Sequence, residues 1–144
     1  MHTKVLLVDD QASMRLALCA FLRNQPGIEI VGQAEDGSGA VRLAGELKPD
    51  VVLMDLCLPD IDGIEAIRRL KVAEAGLGFG IGVVLLSARV DDSTRAKALA
   101  AGAAACVPKS RAFDQLAPAI LVAAADAQRT SSDGRGKGGA HSPA

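Results

Sequence analysis

The chain has no tryptophan and no tyrosine, and three phenylalanines stand as its whole aromatic complement. With so few rings, nothing aromatic interleaves the basic residues near the C-terminus, and stacking on single-stranded nucleic acid loses its platform. A formal net charge of -1 gives no electrostatic footprint for a nucleic-acid or membrane-surface partner. No apolar run approaches the roughly 18 residues that a membrane span needs. Met1-His2-Thr3-Lys4 leads directly into an apolar run, so no signal peptide is expected. Cys19, Cys57 and Cys106 are odd in number, far apart and without a paired motif, which argues for reduced thiols in a cytoplasm.

Hydrophobic content of 49% and a charged fraction of 23% are ordinary for a globular protein, and 144 residues suit one domain with a short appendage. Four apolar runs organise the chain, and each ends on a polar residue. Val5-Leu6-Leu7-Val8 runs into Asp9-Asp10, Val51-Val52-Leu53-Met54 into Asp55, and Val83-Val84-Leu85-Leu86 into Ser87. Residues 103–107, through Pro108, run into Lys109. Short apolar runs of this kind read as parallel strands buried on both faces.

Between them the period becomes helical. Met14, Leu18, Phe21 and Leu22 form one stripe, closed by Gln25-Pro26-Gly27. Residues 28–31 read as a short strand that ends on Gly32, and Glu29 inside it marks a sheet edge. Asp36 to Ser38 can cap a helix that carries Ala40, Ala44 and Leu47 inward, and Lys48-Pro49-Asp50 stops it. Asp62 and Glu65 predict a capping box, and Asp91-Asp92-Ser93 opens a helix that Gly102 closes. The glycine-rich residues 76–82 fit no nucleotide-binding register and read as a flexible connector. A last alanine-rich helix should reach about residue 127, with Pro118 requiring a late start or a bend.

Five strand–helix units in alternation predict a three-layer α/β sandwich with right-handed crossovers. Strand two alone ends without a polar group suited to phosphate, so a parallel sheet of order 2-1-3-4-5 places it at an edge and strands one and three at the switch point. The domain should span residues 1–127. Residues 128–144, rich in glycine and serine and mildly basic through Arg129, Arg135 and Lys137, should be a disordered tail, too short for a DNA-binding module.

Ligands of open parallel sheets sit beyond the carboxyl ends of the strands. Asp9, Asp10, Asp55, Ser87 and Lys109 should therefore converge. Alone, Asp9-Asp10 reads equally as a helix start and Lys109 as a solvated side chain; together at successive strand ends they read as a site. Three carboxylates are hard oxygen ligands, suited to magnesium more than zinc. Without a cation, two such charges about 5 Å apart repel by on the order of 3 kcal/mol at an effective dielectric near 20. Magnesium uses one or two carboxylates, which leaves one as a nucleophile able to form an aspartyl-phosphate. Lys109 can pair with one phosphoryl oxygen, Ser87 can hydrogen-bond another, and the metal can hold the third.

At these residues the chain resembles the receiver domains of bacterial two-component response regulators, particularly those of LuxR/NarL-type regulators. The stretch Asp55-Leu56-Cys57-Leu58-Pro59-Asp60-Ile61-Asp62-Gly63-Ile64-Glu65 is similar to that family's phosphorylation loop, and Asp9-Asp10, Ser87-Ala88 and Pro108-Lys109-Ser110 extend the match. The resemblance implies a flavodoxin-like (βα)5 receiver fold. It implies phosphoryl transfer to Asp55 from a sensor histidine kinase or a histidine phosphotransfer protein. Asp9, Asp10, Asp55 and the backbone carbonyl of Cys57 would hold Mg2+, while Ser87 and Lys109 would read the phosphoryl group. The expected protein is a stand-alone cytoplasmic receiver that catalyses its own phosphorylation and dephosphorylation, acts on no separate substrate, and presents a changed surface to a downstream protein target. A weak homodimer is compatible with the sequence; direct nucleic-acid contact and membrane insertion are not expected.

Cys106 departs from the family pattern, standing three residues before the lysine where a switch aromatic is usual. Coupling of Ser87 to an inward-turning ring should be absent or altered. Cys57 and Arg89, two residues beyond Asp55 and Ser87, should flank the phosphoryl path. Two alternatives stand beside this reading. One is a phosphorylation-independent protein-interaction module with a receiver fold. The other is a metal-dependent phosphatase resembling haloacid dehalogenases, against which Cys57 stands where those enzymes want an acid. A redox pair of Cys57 with Cys106 is a minor option, and His2 and His141 carry no assigned role.

Overall fold

A computed structural model describes the backbone of residues 2–78 and 80–140, and their side chains apart from those of 77 and 129–140. Five strands and five helices alternate: β1 (Thr3–Val8), α1 (Ala12–Arg23), β2 (Ile28–Ala34), α2 (Gly37–Leu47), β3 (Val51–Asp55), α3 (Gly63–Leu77), β4 (Gly82–Ser87), α4 (Asp92–Ala101), β5 (Ala105–Pro108) and α5 (Ala112–Ala140). One 3-10 turn, Lys109–Arg111, links β5 to α5. All strand pairs are parallel, in the order β2-β1-β3-β4-β5, the order expected from the strand ends.

The apolar runs are buried on both faces because helices cover both. Leu6, Val8, Val52, Met54, Val83 and Leu85 pack toward α2, α3 and α4. The alternate residues Val5, Leu7, Val51, Leu53, Val84 and Leu86 pack toward α1 and α5. Full burial of each such side chain contributes roughly 1.5–3 kcal/mol. The stripe on α1 meets this second core, with Leu18 and Leu22 buried and Met14 and Phe21 packed at its margin. Aspartates cap three helices as the spacing predicts: Asp36 accepts from Gly39 N–H at 2.7 Å, Asp62 from Glu65 N–H at 2.8 Å and Asp91 from Thr94 N–H at 2.8 Å. The Asp62 box is half made, since the Glu65 carboxylate turns to Arg68 and Arg69. Gly102, at φ 119°, closes α4.

Several expectations are corrected. β2 continues past Gly32 to Ala34, because a bulge shifts its register: Val5 faces Ile30 but Leu6 faces Gly32. The extra residue breaks the period-two pattern without ending the strand. β5 is the shorter Ala105–Pro108. Of the two options for Pro118, the late start does not occur: α5 starts at Ala112 with Pro118 inside it, where it costs the Asp114 carbonyl its helical N–H partner. The helix runs to Ala140. Residues 141–144 lie outside the described residues.

The glycines of residues 76–82 are a further correction. Gly76 belongs to α3, Gly78 at φ 75° caps it, and Gly82 opens β4. A Cβ on Gly82 would lie 1.9 Å from the Ala123 carbonyl oxygen, and one on Gly80 would lie 2.1 Å from that of Ala127. These two positions let the backbone of α5 rest against β4, a use of glycine that sequence spacing does not reveal. Gly82→Ala is therefore expected to destabilise the fold by on the order of 3 kcal/mol, whereas Gly45→Ala, in α2 with nothing within 4 Å of the new methyl, should gain roughly 0.5–1 kcal/mol. Urea unfolding followed by far-UV circular dichroism checks both, and equal effects at the two positions would contradict the close-approach reading.

Candidate functional site

The switch point between β1 and β3 carries the acidic cluster. Asp9 leaves the end of β1 with no solvent exposure, and Asp55, the last residue of β3, is 3% exposed. Asp10 is exposed. One carboxylate oxygen from each of the three lies within 4.8 Å of the others. Lys109, delivered by the turn after β5, places its Nζ 3.1 Å from Asp55 Oδ1 and 3.2 Å from Asp9 Oδ2.

Backbone contacts hold these groups in place. The N–H of Asp9 donates to the Ala34 carbonyl at 3.1 Å, so the last residue of the extended β2 orients it. Gln11 N–H donates to Asp9 Oδ1 at 2.8 Å, and the Arg15 guanidinium donates to the Asp9 carbonyl. Beyond Asp55, Leu56 N–H bonds the Leu86 carbonyl at 2.9 Å and Gly63 N–H bonds the Leu56 carbonyl at 2.7 Å. Gly63 is required here, because a Cβ would stand 2.4 Å from the Asp55 carbonyl oxygen. Neither Gln11 nor Arg15 was foreseen from the sequence. One acts through its backbone, and the other reaches six residues back from a helix, at no recognisable motif spacing.

Burial pushes the Asp55 carboxyl above its ordinary value, reinforced by the Asp9 charge and opposed by Lys109 and the Cys57 amide. Burial acts against the Lys109 ammonium, but the hydrogen bond and charge of Asp55, with the charge of Asp9, outweigh it and hold Lys109 above the usual lysine value. Asp9 Oδ2 is buried, and the Lys109 ammonium at 3.2 Å is its partner among the described residues. A buried carboxylate oxygen with an unmatched lone pair, two further carboxylates beside it and no soft donor fits a hard divalent cation.

Of the residues named from sequence, Asp9, Asp10, Asp55 and Lys109 come together. Ser87 stands at the end of β4, 4% exposed, with its hydroxyl turned away into its own loop. Its Oγ donates to the Arg89 carbonyl at 2.7 Å and accepts from Arg89 N–H at 3.3 Å. Cys57 lies in the loop after Asp55 with its side chain exposed, and Cys106 is buried in the core under α4. All three cysteines are free thiols.

Residues 5–121 match the model of the response regulator receiver domain family. The chain is 38% identical over 136 residues to the transcriptional regulatory protein LiaR of Bacillus subtilis, covering 93% of this chain and 62% of that protein. It is 36% identical over 120 residues to the response regulator protein VraR of Staphylococcus saprophyticus, covering 83% of this chain and 56% of that one. The chain thus spans about six-tenths of the length of these relatives. Among solved structures, a LuxR-family two-component response regulator from Aurantimonas sp. SI85-9A1 superposes with a TM-score of 0.80 at 30% identity, covering 89% of each chain. The response regulator domain of Thermotoga maritima CheB does so with a TM-score of 0.73 at 35% identity, covering 88% of this chain and 96% of that domain. The chain belongs to the response regulator receiver domain family of two-component systems. No helix among the described residues is long and apolar enough to cross a membrane.

The electrostatics give a pH test. Ionising Asp55 in the folded, metal-free protein carries a penalty that is full above its folded pKa and absent below the ordinary value of 3.8. With a chelator present, Asp55→Asn is expected to raise Tm near neutrality, and its advantage over the wild type should shrink as pH falls toward that value. Thermal melts across the acidic range check this; a constant or inverted difference would show that burial does not dominate at Asp55.

Proposed function

We propose that this chain is a phosphoacceptor signalling protein of a cytoplasmic phosphorelay, in which Asp55 takes a phosphoryl group from a sensor histidine kinase or a histidine phosphotransfer protein. The observation that carries the reading is a buried Asp55 that shares the Lys109 ammonium with Asp9 while Asp10 completes an acidic trio. Asp9, Asp10, Asp55 and the Cys57 backbone carbonyl would hold Mg2+, which when bound supplies neutralising charge for the phosphoryl oxygens. An Asp55 carboxylate oxygen forms the new bond to phosphorus as the phosphorus–nitrogen bond of the donor histidine breaks. Lys109, already paired with that carboxylate, takes up one phosphoryl oxygen. Ser87 offers its hydroxyl to another and must first give up the Arg89 carbonyl.

Release of Arg89 frees the segment that leads into Asp91 and α4, so the message leaves through α4 and β5 to a downstream protein target. Apart from this self-catalysed gain and loss of a phosphoryl group, the chain acts on no separate substrate. One observation favours a second reading, that of a phosphorylation-independent interaction module: Cys106 is 5% exposed and packed in the core, where no ring can swing.

Acetyl phosphate or phosphoramidate with magnesium is expected to give an acid-stable, base-labile adduct that maps to Asp55 and is lost in Asp55→Ala. A mapped adduct elsewhere refutes the assignment. Partner binding that is the same for wild type and Asp55→Ala, with and without phosphodonor, decides for the second reading.

A further inference from the structure

Residues 56–62 form the loop that carries the Cys57 carbonyl, and its two ends are pinned by backbone bonds at Leu56 and by the Asp62 cap. Between those ends the loop is held from outside. Asp60 Oδ1 accepts from Gly37 N–H at 2.8 Å, and its Oδ2 accepts from Ser38 N–H at 2.9 Å and from the Ser38 hydroxyl at 2.7 Å. Those two N–H groups open α2, where helix geometry supplies no partner for them. The helix has its own cap in Asp36, which bonds Gly39, so Asp60 is a second cap reaching across from another loop. Ile61 seals the contact: a Cβ on Gly37 would meet its Cγ1 at 2.4 Å.

A surface aspartate that receives three hydrogen bonds across 22 to 23 residues of sequence is more than a solvated charge. The three donors hold its carboxyl well below the usual carboxylate range, so the tie persists across ordinary pH. Asp60 touches none of the acidic trio, but it stands three residues from the carbonyl that the phosphoacceptor reading assigns to the metal. An unanchored loop of seven residues would sample many positions for that oxygen, and each lost degree of freedom would be charged to metal binding.

Resting on that reading, we infer that Asp60 is a positioning residue: by bonding the first turn of α2 it sets the place of the Cys57 carbonyl, and with it the affinity of the site for magnesium and the lifetime of the acyl phosphate.

The test compares wild type, Asp60→Ala, Asp60→Asn and, as a control, Asp36→Ala, which removes a cap from the same helix end and leaves the Asp60 tie intact. Magnesium chloride titrated by calorimetry should bind Asp60→Ala more weakly than wild type, by up to about tenfold, since Asp60 acts one step further out than a group that bonds a metal ligand directly. Asp60→Asn, which keeps one accepting oxygen, should fall between them. In metal-free protein, hydrogen–deuterium exchange of residues 56–62 should speed up in Asp60→Ala and stay as in wild type for Asp36→Ala. Equal magnesium affinity in wild type and Asp60→Ala, or the same loss in Asp36→Ala, would reduce Asp60 to a helix cap and overturn the inference. Failure of the wild type itself to bind magnesium would instead sink the phosphoacceptor reading on which it rests.

Discussion

Two buried carboxylates, Asp9 and Asp55, lean on a single ammonium, that of Lys109, and the carboxyl end of the sheet is organised around that imbalance. At a separation of no more than 4.8 Å the two acids repel by at least roughly 3.5 kcal/mol at an effective dielectric of 20. Lys109 offsets this, and β5 has to deliver the lysine to the right depth for the fold to tolerate its own chemistry. A protein selected for stability alone would fill this spot with apolar side chains. The two acids outnumber the ammonium that serves them, and the buried Asp9 Oδ2 relies on Lys109.

The interaction also explains the division of labour between the two layers of helices. The β2 bulge carries that strand on to Ala34, whose carbonyl fixes Asp9, while Arg15 of α1 holds Asp9 from the opposite side. Asp55 is set by the Gly63 contact and by the Leu86 carbonyl bond of the residue after it. Ser87, by contrast, is tied to a flanking loop by a hydroxyl bond. The acids are fixed by backbone contacts, whereas the hydroxyl is placed by one rotatable bond.

Much of this was legible in the residues. The strands were visible because burial on both faces writes itself as unbroken apolar runs, and the strand order followed from which runs end in useful polar groups. Asp36, Asp62, Asp91 and Gly102 were legible because capping is local, a matter of three or four residues. What escaped depends on contacts far apart in sequence. The bulge at β2 looked like an ending, since a single extra residue inverts the alternation. Gly80 and Gly82 looked like a flexible linker, and their role appears only when Ala127 and Ala123 arrive against them. Asp60 was legible only as one residue of the loop motif, and the Ser87 hydroxyl could be placed at the site but not pointed.

The seat of α5 has a mechanical implication. This helix is clamped along its middle, where the carbonyls of Ala123 and Ala127 lie against Gly82 and Gly80 with no side chain as spacer, and it begins one turn after the lysine that grips the acids. Sliding along its axis would drive backbone into backbone. The sheet and α5 thus form one closely seated block, whereas the loop that leads into α4 is tied at Ser87 by a hydroxyl bond.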